Sequence, residues 1–238
     1  MLGFLLLGNK MTSNPKIWRY MDLTKFLAII IRKELYFNRA DSYEDIYEGE
    51  LASGDKELLD SNPQLEIINQ RDSTFINCWH ENEVESAAMW KLYGGIDDAI
   101  AIETDLVRLR TTLPNRIEIR KVDYIDYENN SIIRICLEKN NGLCVQDILA
   151  YKRKSFIHEQ EYRAIYWKIP DTDKLEEGMT WAHSKGINVS IDCSILIKKL
   201  HISPYASPLV ESIIHSILQK YDLAHIPVIK SHLYTRLN

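Results

Sequence analysis

The chain is poor in the residues that interrupt structure. Its 238 residues hold 9 Gly and 7 Pro, and no stretch is rich in Gly, Ser or Pro. Neither an internal repeat nor a low-complexity tract is present, which excludes a repeat array or a flexible interdomain linker. Cysteine is scarce as well. Cys78, Cys136, Cys144 and Cys193 stand apart with no C-x-x-C pair, so zinc and redox-dithiol spacing are missing and buried thiols in a reducing cytoplasm are expected. Basic residues are outnumbered, 29 Lys and Arg against 34 Asp and Glu, for a formal net charge of -5. No global positive field therefore draws the chain to nucleic acid or anionic lipid. A long apolar run is lacking. The opening MLGFLLLGNKM has no basic segment before its short apolar run and no small-residue cleavage site after it, and it is too short to span a bilayer. Residues 1–17 are expected as an N-terminal extension, either an extra strand or sequence upstream of a start at Met11. G-x-x-x-x-G-K-[ST], G-x-G-x-x-G and G-x-S-x-G are all absent, which removes support for a phosphate loop, a Rossmann site or a hydrolase elbow.

What is present is ordinary globular material, 45% hydrophobic and 26% charged, enough for a sizeable core. Residues 18–238 are read as a single domain. Trp18–Tyr20 reads as a strand, and Asp22 as the cap of a helix whose apolar positions are Phe26, Leu27, Ile30 and Ile31. A second strand is expected over Leu35–Asn38. The acidic, Tyr-rich segment from Arg39 to Asn62 suits a mobile loop or irregular helix lying over a surface. Phe75–Trp79 reads as a strand, and Asn82 with Glu85 as a capping box for a helix carrying AAMWKLY. Ala99–Glu103 reads as a buried strand and RIEIRK as a half-wet one. Ser207-Pro208 opens a helix with Leu209, Val210, Ile213, Ile214, Ile217 and Leu218 on one side, and Pro227–Leu233 reads as a last strand. Strands and helices mix without regular alternation. The expected class is α+β, with a mixed or antiparallel curved sheet flanked by helices.

The stretch HEQEYRAIYW, His158 to Trp167, carries the chemistry. Read as extended chain, it puts Glu159, Glu161, Arg163, Ile165 and Trp167 on one face. Unpaired carboxylates are costly to bury, so the charged end is expected at a rim or cleft and the apolar end in the core. Two carboxylates two positions apart can divide labour, because repulsion and unequal burial separate their pKa values. The competing reading is a rim of solvated ion pairs with Arg163 or with Lys152, Arg153 and Lys154. Arg19, at the end of the first strand, could clamp a phosphate with its planar fork. His80, just past a strand, has no second histidine at ligand spacing, and no metal is expected. On the MWKLY helix, Met89 and one aromatic are expected in the core while the other of Trp90 and Tyr93 lines the cleft.

WRY, ELYFNRADSYED, NCWHE, AAMWKLYGG, AIAIETD, the tyrosine of KVDY and HEQEYRAI together resemble a large bacterial family catalogued only as a domain of unknown function. Its segments look like a Tyr-Arg-Tyr start, an FNDPFE-like loop, a CF-S-E strand end, an MW-x-x-Y helix and an E-x-E-[WY]-R strand. The resemblance runs from about Trp18 to about Pro204. This chain departs from the pattern with FNRADSYED in the loop and with Trp79-His80 in place of Phe-Ser.

More distantly, an Arg strand, then a helix and a second strand, then a Ser-Thr step, then a late E-x-E resembles ADP-ribosyltransferases of the Arg-Ser-Glu type. The corresponding residues here are Arg19, Ser73-Thr74 and Glu159-Gln160-Glu161. The resemblance implies NAD as substrate, Arg19 with neighbouring Tyr20 on its phosphate or ribose, and Thr74 supporting the site. It also implies Glu161 stabilising a ribosyl oxocarbenium, Glu159 orienting or deprotonating an acceptor, and Trp90 or Tyr93 stacking on a ring. Arg163 is expected among the nucleotide-binding residues. The expected partners are a nucleotide-type small molecule and a protein or nucleic-acid acceptor, in a cytoplasmic, non-membrane setting of bacterial defence or toxin systems. Two other readings stay open: a nucleic-acid-acting or nucleic-acid-binding module using Lys152, Arg153, Lys154, Lys198 and Lys199, and a noncatalytic protein-interaction domain. The last requires Glu159, Glu161 and Arg163 on an open convex surface.

Overall fold

The structure is a computed structural model that describes residues 14–62, 70–94, 97–140, 145–168, 174–182 and 185–234. The extra strand or upstream start read into the first residues, and Cys144, lie outside the described residues.

β1 (Lys16–Met21) ends at Asp22, whose carboxylate accepts from the Lys25 backbone N–H at 2.7 Å and so caps α1 (Leu23–Arg32). α1 buries Phe26, Ile29 and Ile30, an i, i+3, i+4 ridge, while Ile31 is 50% exposed. The sequence placed Ile31 on the core face, but it stands one helical step beyond that ridge. The helix closes at Lys33, whose backbone adopts φ 54 and bonds back to the Ile29 carbonyl. β2 (Glu34–Arg39) follows. The acidic stretch from Arg39 onward is not a loose cover: it forms two single 3-10 turns and α2 (Lys56–Ser61), and it buries Glu48 and Asp55.

β3 (Thr74–Glu81) leads to α3 (Ala87–Met89), prolonged by a π turn over Trp90–Gly94. The Ser86 hydroxyl caps α3 by accepting from the Met89 N–H, where the sequence had suggested Asn82. Asn82 instead stays tied to the sheet, its N–H bonded to the Lys16 carbonyl. β4 (Ile100–Asp105), α4 (Leu106–Thr112), β5 (Glu118–Lys121), β6 (Asp123–Ile125), α5 (Ile132–Asn140) and α6 (Val145–Ile148) come next. Then follow β7 (Tyr151–Arg153), β8 (Glu161–Trp167), β9 (Met179–Trp181), β10 (Gly186–Ser190), α7 (Cys193–Leu196), β11 (Lys199–Ile202), α8 (Pro208–Lys220) and β12 (Val228–Lys230). α8 begins at Pro208 and buries Val210, Ile214 and Leu218 at a spacing of four. Leu209 is 66% exposed and the Ser207 side chain makes no capping bond, both contrary to the sequence reading.

The class is α+β. Ten strands form one open mixed sheet in the order β12-β11-β4-β1-β3-β2-β10-β9, with β8 on β3 and β5 on β8; β6 and β7 form a separate parallel pair. The largest apolar cluster draws on residues from Ile17 to Ile226, with α1, α4, α7 and α8 contributing.

One feature of the register creates space. β8 pairs with β3 along its whole length, from Thr74↔Trp167 to His80↔Glu161. The opposite edge of β3 is shared: β1 takes only Glu81 and His80, and β2 takes only Ile76 and Phe75. β1 meanwhile keeps pairing with β4 through Met21, and β2 with β10 through Glu34. The two strands diverge, α1 links them, and Asn77–Trp79 are left between without a strand partner on that side. Asn77 spans part of the gap by donating its side-chain N–H to the Tyr36 carbonyl at 2.8 Å.

Candidate functional site

A cavity of about 1090 Å³ occupies this split. Consecutive residues from both strand edges line it, Trp18 to Met21 on β1 and Ile76 to His80 on β3, as a gap between strands requires. Its volume lies just above the usual span of small-molecule sites, roughly 300–1,000 Å³. α1 contributes Lys25, Ala28 and Arg32 to one wall, and Trp181 closes part of the far side.

Arg19 lies in this cavity with its guanidinium 5.8 Å from the Trp79 ring centroid. No carboxylate pairs with it among the described residues, and its Nη1 is buried without a hydrogen-bond partner. Burial lowers its pKa from the ordinary arginine value, with Cys78 and Tyr43 acting in the opposite sense. An arginine held this way is a ready partner for a phosphate or carboxylate.

Across the cavity stand the two glutamates, and they are not on one strand face. Residues 154–159 form a 3-10 helix, Gln160 turns the chain at φ 42, and β8 starts at Glu161. Glu159 therefore reaches the cavity from a helical turn, anchored through its carbonyl to His80 Nδ1 at 2.6 Å. Its carboxyl accepts from the Tyr93 hydroxyl at 2.8 Å and from Lys152 Nζ. Glu161 accepts from Lys152 Nζ at 2.8 Å and from Arg163 Nε at 2.6 Å. Arg163 is 1% exposed, far from the solvated rim expected of it, and donates Nη1 to the Leu149 carbonyl. Glu48 joins the cluster from the acidic segment, 2.5 Å from Arg163 Nη1 and 3.6 Å from Lys152 Nζ.

The environments separate the two carboxyls. Burial, together with neighbouring Glu161, pushes the Glu159 carboxyl up to about 7. Burial would raise Glu161 too, but Arg163 and Lys152 hold it well below the usual carboxylate range. Burial works against the charge on Lys152, yet Glu161 and Glu48 raise its pKa above that of an ordinary lysine. The pair can thus combine a permanent anion with a group that exchanges a proton near neutrality.

Arg19, Tyr20, Tyr93, Glu159 and Glu161 line the one cavity; Thr74, Trp90 and Arg163 do not. Thr74 is fully buried and donates to the Gln70 carbonyl. Trp90 packs its ring edge-on against Tyr20 at 5.0 Å and donates to Glu85, so it buttresses the wall from behind. Arg163 acts on Glu161 from beneath. Lys152, read from the sequence as a solvated charge, is buried at the centre of the cluster. Glu48 was not singled out; an acidic residue in an irregular segment carries no local sign that it will be buried against a distant strand. Among the described residues no group of three or more His, Cys, Asp and Glu could hold a metal ion, and no helix is long and apolar enough to cross a membrane.

Residues 89–164 match the family described as Protein of unknown function (DUF2971). That span includes Tyr93, Lys152, Glu159 and Glu161. No curated protein and no solved structure matches the chain.

Proposed function

We propose that the protein is an ADP-ribosyltransferase-like enzyme that cleaves NAD at its nicotinamide ribosyl bond. The observation that carries this reading is the sharing of one cavity by an unpaired arginine and a pair of carboxyls with separated acidities. Arg19 binds the phosphate or ribose of the dinucleotide, and Tyr20 and Tyr93 border the bound ligand. As the bond from C1′ to nitrogen breaks, its electron pair goes to the pyridinium ring, and neutral nicotinamide leaves. Positive charge develops on the ribosyl carbon and ring oxygen, where a permanently ionised Glu161 stabilises it. Water or an acceptor group then bonds to C1′ and gives its proton to Glu159. The same reading places the enzyme in the cytoplasm, in keeping with the unbridged Cys78, Cys136 and Cys193.

The other readings find less support. Lys152 and Lys199, two of the lysines a nucleic-acid module would use, are engaged by carboxylates. Glu159, Glu161 and Arg163 are buried, which does not suit a convex interaction surface.

Incubation with NAD, with and without candidate acceptors, tests the proposal. Nicotinamide release is expected, with Glu161→Gln reducing it about 100-fold or more while circular dichroism stays unchanged. No release under any acceptor condition overturns the reading.

A further inference from the structure

We propose that Glu48 is a positioning residue that closes a neutral ring of charges in the cavity wall and thereby leaves Glu159 as the carboxyl that exchanges protons there. Only the identity of the ligand depends on the NAD reading; the ring itself does not.

The ring can be followed atom by atom. Glu161 Oε1 meets Lys152 Nζ at 2.8 Å, and Lys152 Nζ lies 3.6 Å from Glu48 Oε2. Glu48 Oε1 lies 2.5 Å from Arg163 Nη1, and Arg163 Nε returns to Glu161 Oε2 at 2.6 Å. Two carboxylates and two cations alternate, so the ring has no net charge. All four are buried, with Glu48 at 2% and Arg163 at 1% exposure. Such a closed circuit satisfies each ion on two sides, which compensates the loss of water. The Glu48–Arg163 contact is an ion pair lying off the hydrogen-bond direction, so Glu48 contributes chiefly charge.

Glu159 is the third carboxyl and hangs outside the ring. It touches one cation, Lys152, which Glu161 and Glu48 already balance; it also accepts from the neutral Tyr93 hydroxyl, and its carboxyl meets that of Glu161. The groups facing it are Tyr93 from the turn after α3, Lys152 from β7 and Glu161 from β8. Behind these stand Arg163 and Glu48. From other elements come Tyr124 of β6, bonded to the Glu161 N–H, and His80 of β3, bonded to the Glu159 carbonyl; His158 adjoins on its own turn. Ionising Glu159 gives the buried cluster an unbalanced negative charge, and one proton removes it. Burial first, and then the facing Glu161 carboxyl, push the Glu159 carboxyl up, while Lys152 pulls it down.

Removing the Glu48 charge leaves the ring with one excess cation, so ionised Glu159 becomes the balanced state. Its titration then moves to lower pH by about one unit or more, the effect of one charge at a few ångströms. The experiment follows the side-chain carboxyl carbons of labelled full-length protein by NMR against pH, without ligand, and Glu159→Gln and Glu161→Gln identify the two signals. In the wild type, Glu159 is expected to titrate near neutrality while Glu161 stays ionised. Glu48→Gln should move the Glu159 midpoint down, and Glu48→Asp, which keeps the charge, should restore most of it. An unmoved or raised midpoint in folded Glu48→Gln overturns the proposal. A wild-type titration in which Glu161 takes the proton near neutrality also overturns it, and this arm needs no Glu48 variant. Nicotinamide release is measured in parallel. A shifted midpoint without release keeps the ring and removes the NAD reading, whereas release with an unmoved midpoint does the reverse.

Discussion

A guanidinium that folding leaves without an acceptor costs stability, on the order of 1–3 kcal/mol for one buried unsatisfied group. Arg19 is in that position, since Nη1 is buried and unpaired. It also lies over the Trp79 ring in a cavity that Met21 and Ile29 help to line, where an apolar side chain of similar length would pack. Arg19→Met is therefore expected to stabilise the ligand-free protein by about 1 kcal/mol or more in urea unfolding while abolishing nucleotide binding; a variant less stable than wild type would mean that the arginine is structural. At this scale the sequence was partly legible. Arg19 stood out because a strand, a capped helix and a second strand surround it within twenty residues, all signals of short range. Glu161 and Arg163 stood out through the period-two pattern of β8. Lys152 was legible as an ion-pair partner but not as a buried one, and Glu48 did not stand out, because it lies over a hundred positions from Lys152 and Arg163 and only folding brings them together.

Asp55 illustrates the same limit for whole elements. It ends a 3-10 turn in the segment read as acidic surface, yet it is fully buried. Its carboxylate accepts from the Ile132 and Ile133 N–H groups at 3.0 Å each, from the Ser131 hydroxyl, and from the Ala52 N–H at 2.9 Å. It is thus the cap of α5, supplied from a distant part of the chain, and it pins the segment carrying Glu48 to that helix. Removing it orphans several buried donors at once, with typical losses of about 1–3 kcal/mol for each unsatisfied group. Asp55→Ala is expected to lower stability by roughly 3 kcal/mol or more in denaturant titration, with Asp55→Asn intermediate; a loss within about 0.5 kcal/mol would show that water replaces the cap. Local caps such as Asp22 on α1 were readable because acceptor and donor lie three residues apart. The box at Asn82 misled because β3 runs two residues past Trp79, to Glu81, leaving the Asn82 N–H bonded to the Lys16 carbonyl of β1 and passing the cap to Ser86.

For the molecule as a whole, the decisive fact is that β3 divides one edge between two strands. β1 and β2 each carry the rest of the sheet away with them, β4 and β11 on one side and β10 and β9 on the other. A ligand in the gap reaches both β1 and β2, which are joined through β3 and the Asn77–Tyr36 bond, so its binding adds to the cohesion of the sheet. Ligand present at a hundred times its dissociation constant stabilises the native state by about 2.7 kcal/mol. For a chain of this size each kcal/mol raises the midpoint of thermal unfolding by about 2–4 °C, so saturating ADP-ribose, which carries the diphosphate and ribose without the leaving group, is expected to raise it by roughly 5–10 °C. Arg19→Met should abolish the rise, because the anion loses its partner. On the NAD reading Glu161→Gln should retain most of it, because that reading has the carboxylate act on charge developing during cleavage and not on holding the product. A rise that survives loss of Arg19 would place the nucleotide outside the split, and no rise in any variant would mean that the cavity takes a different class of ligand.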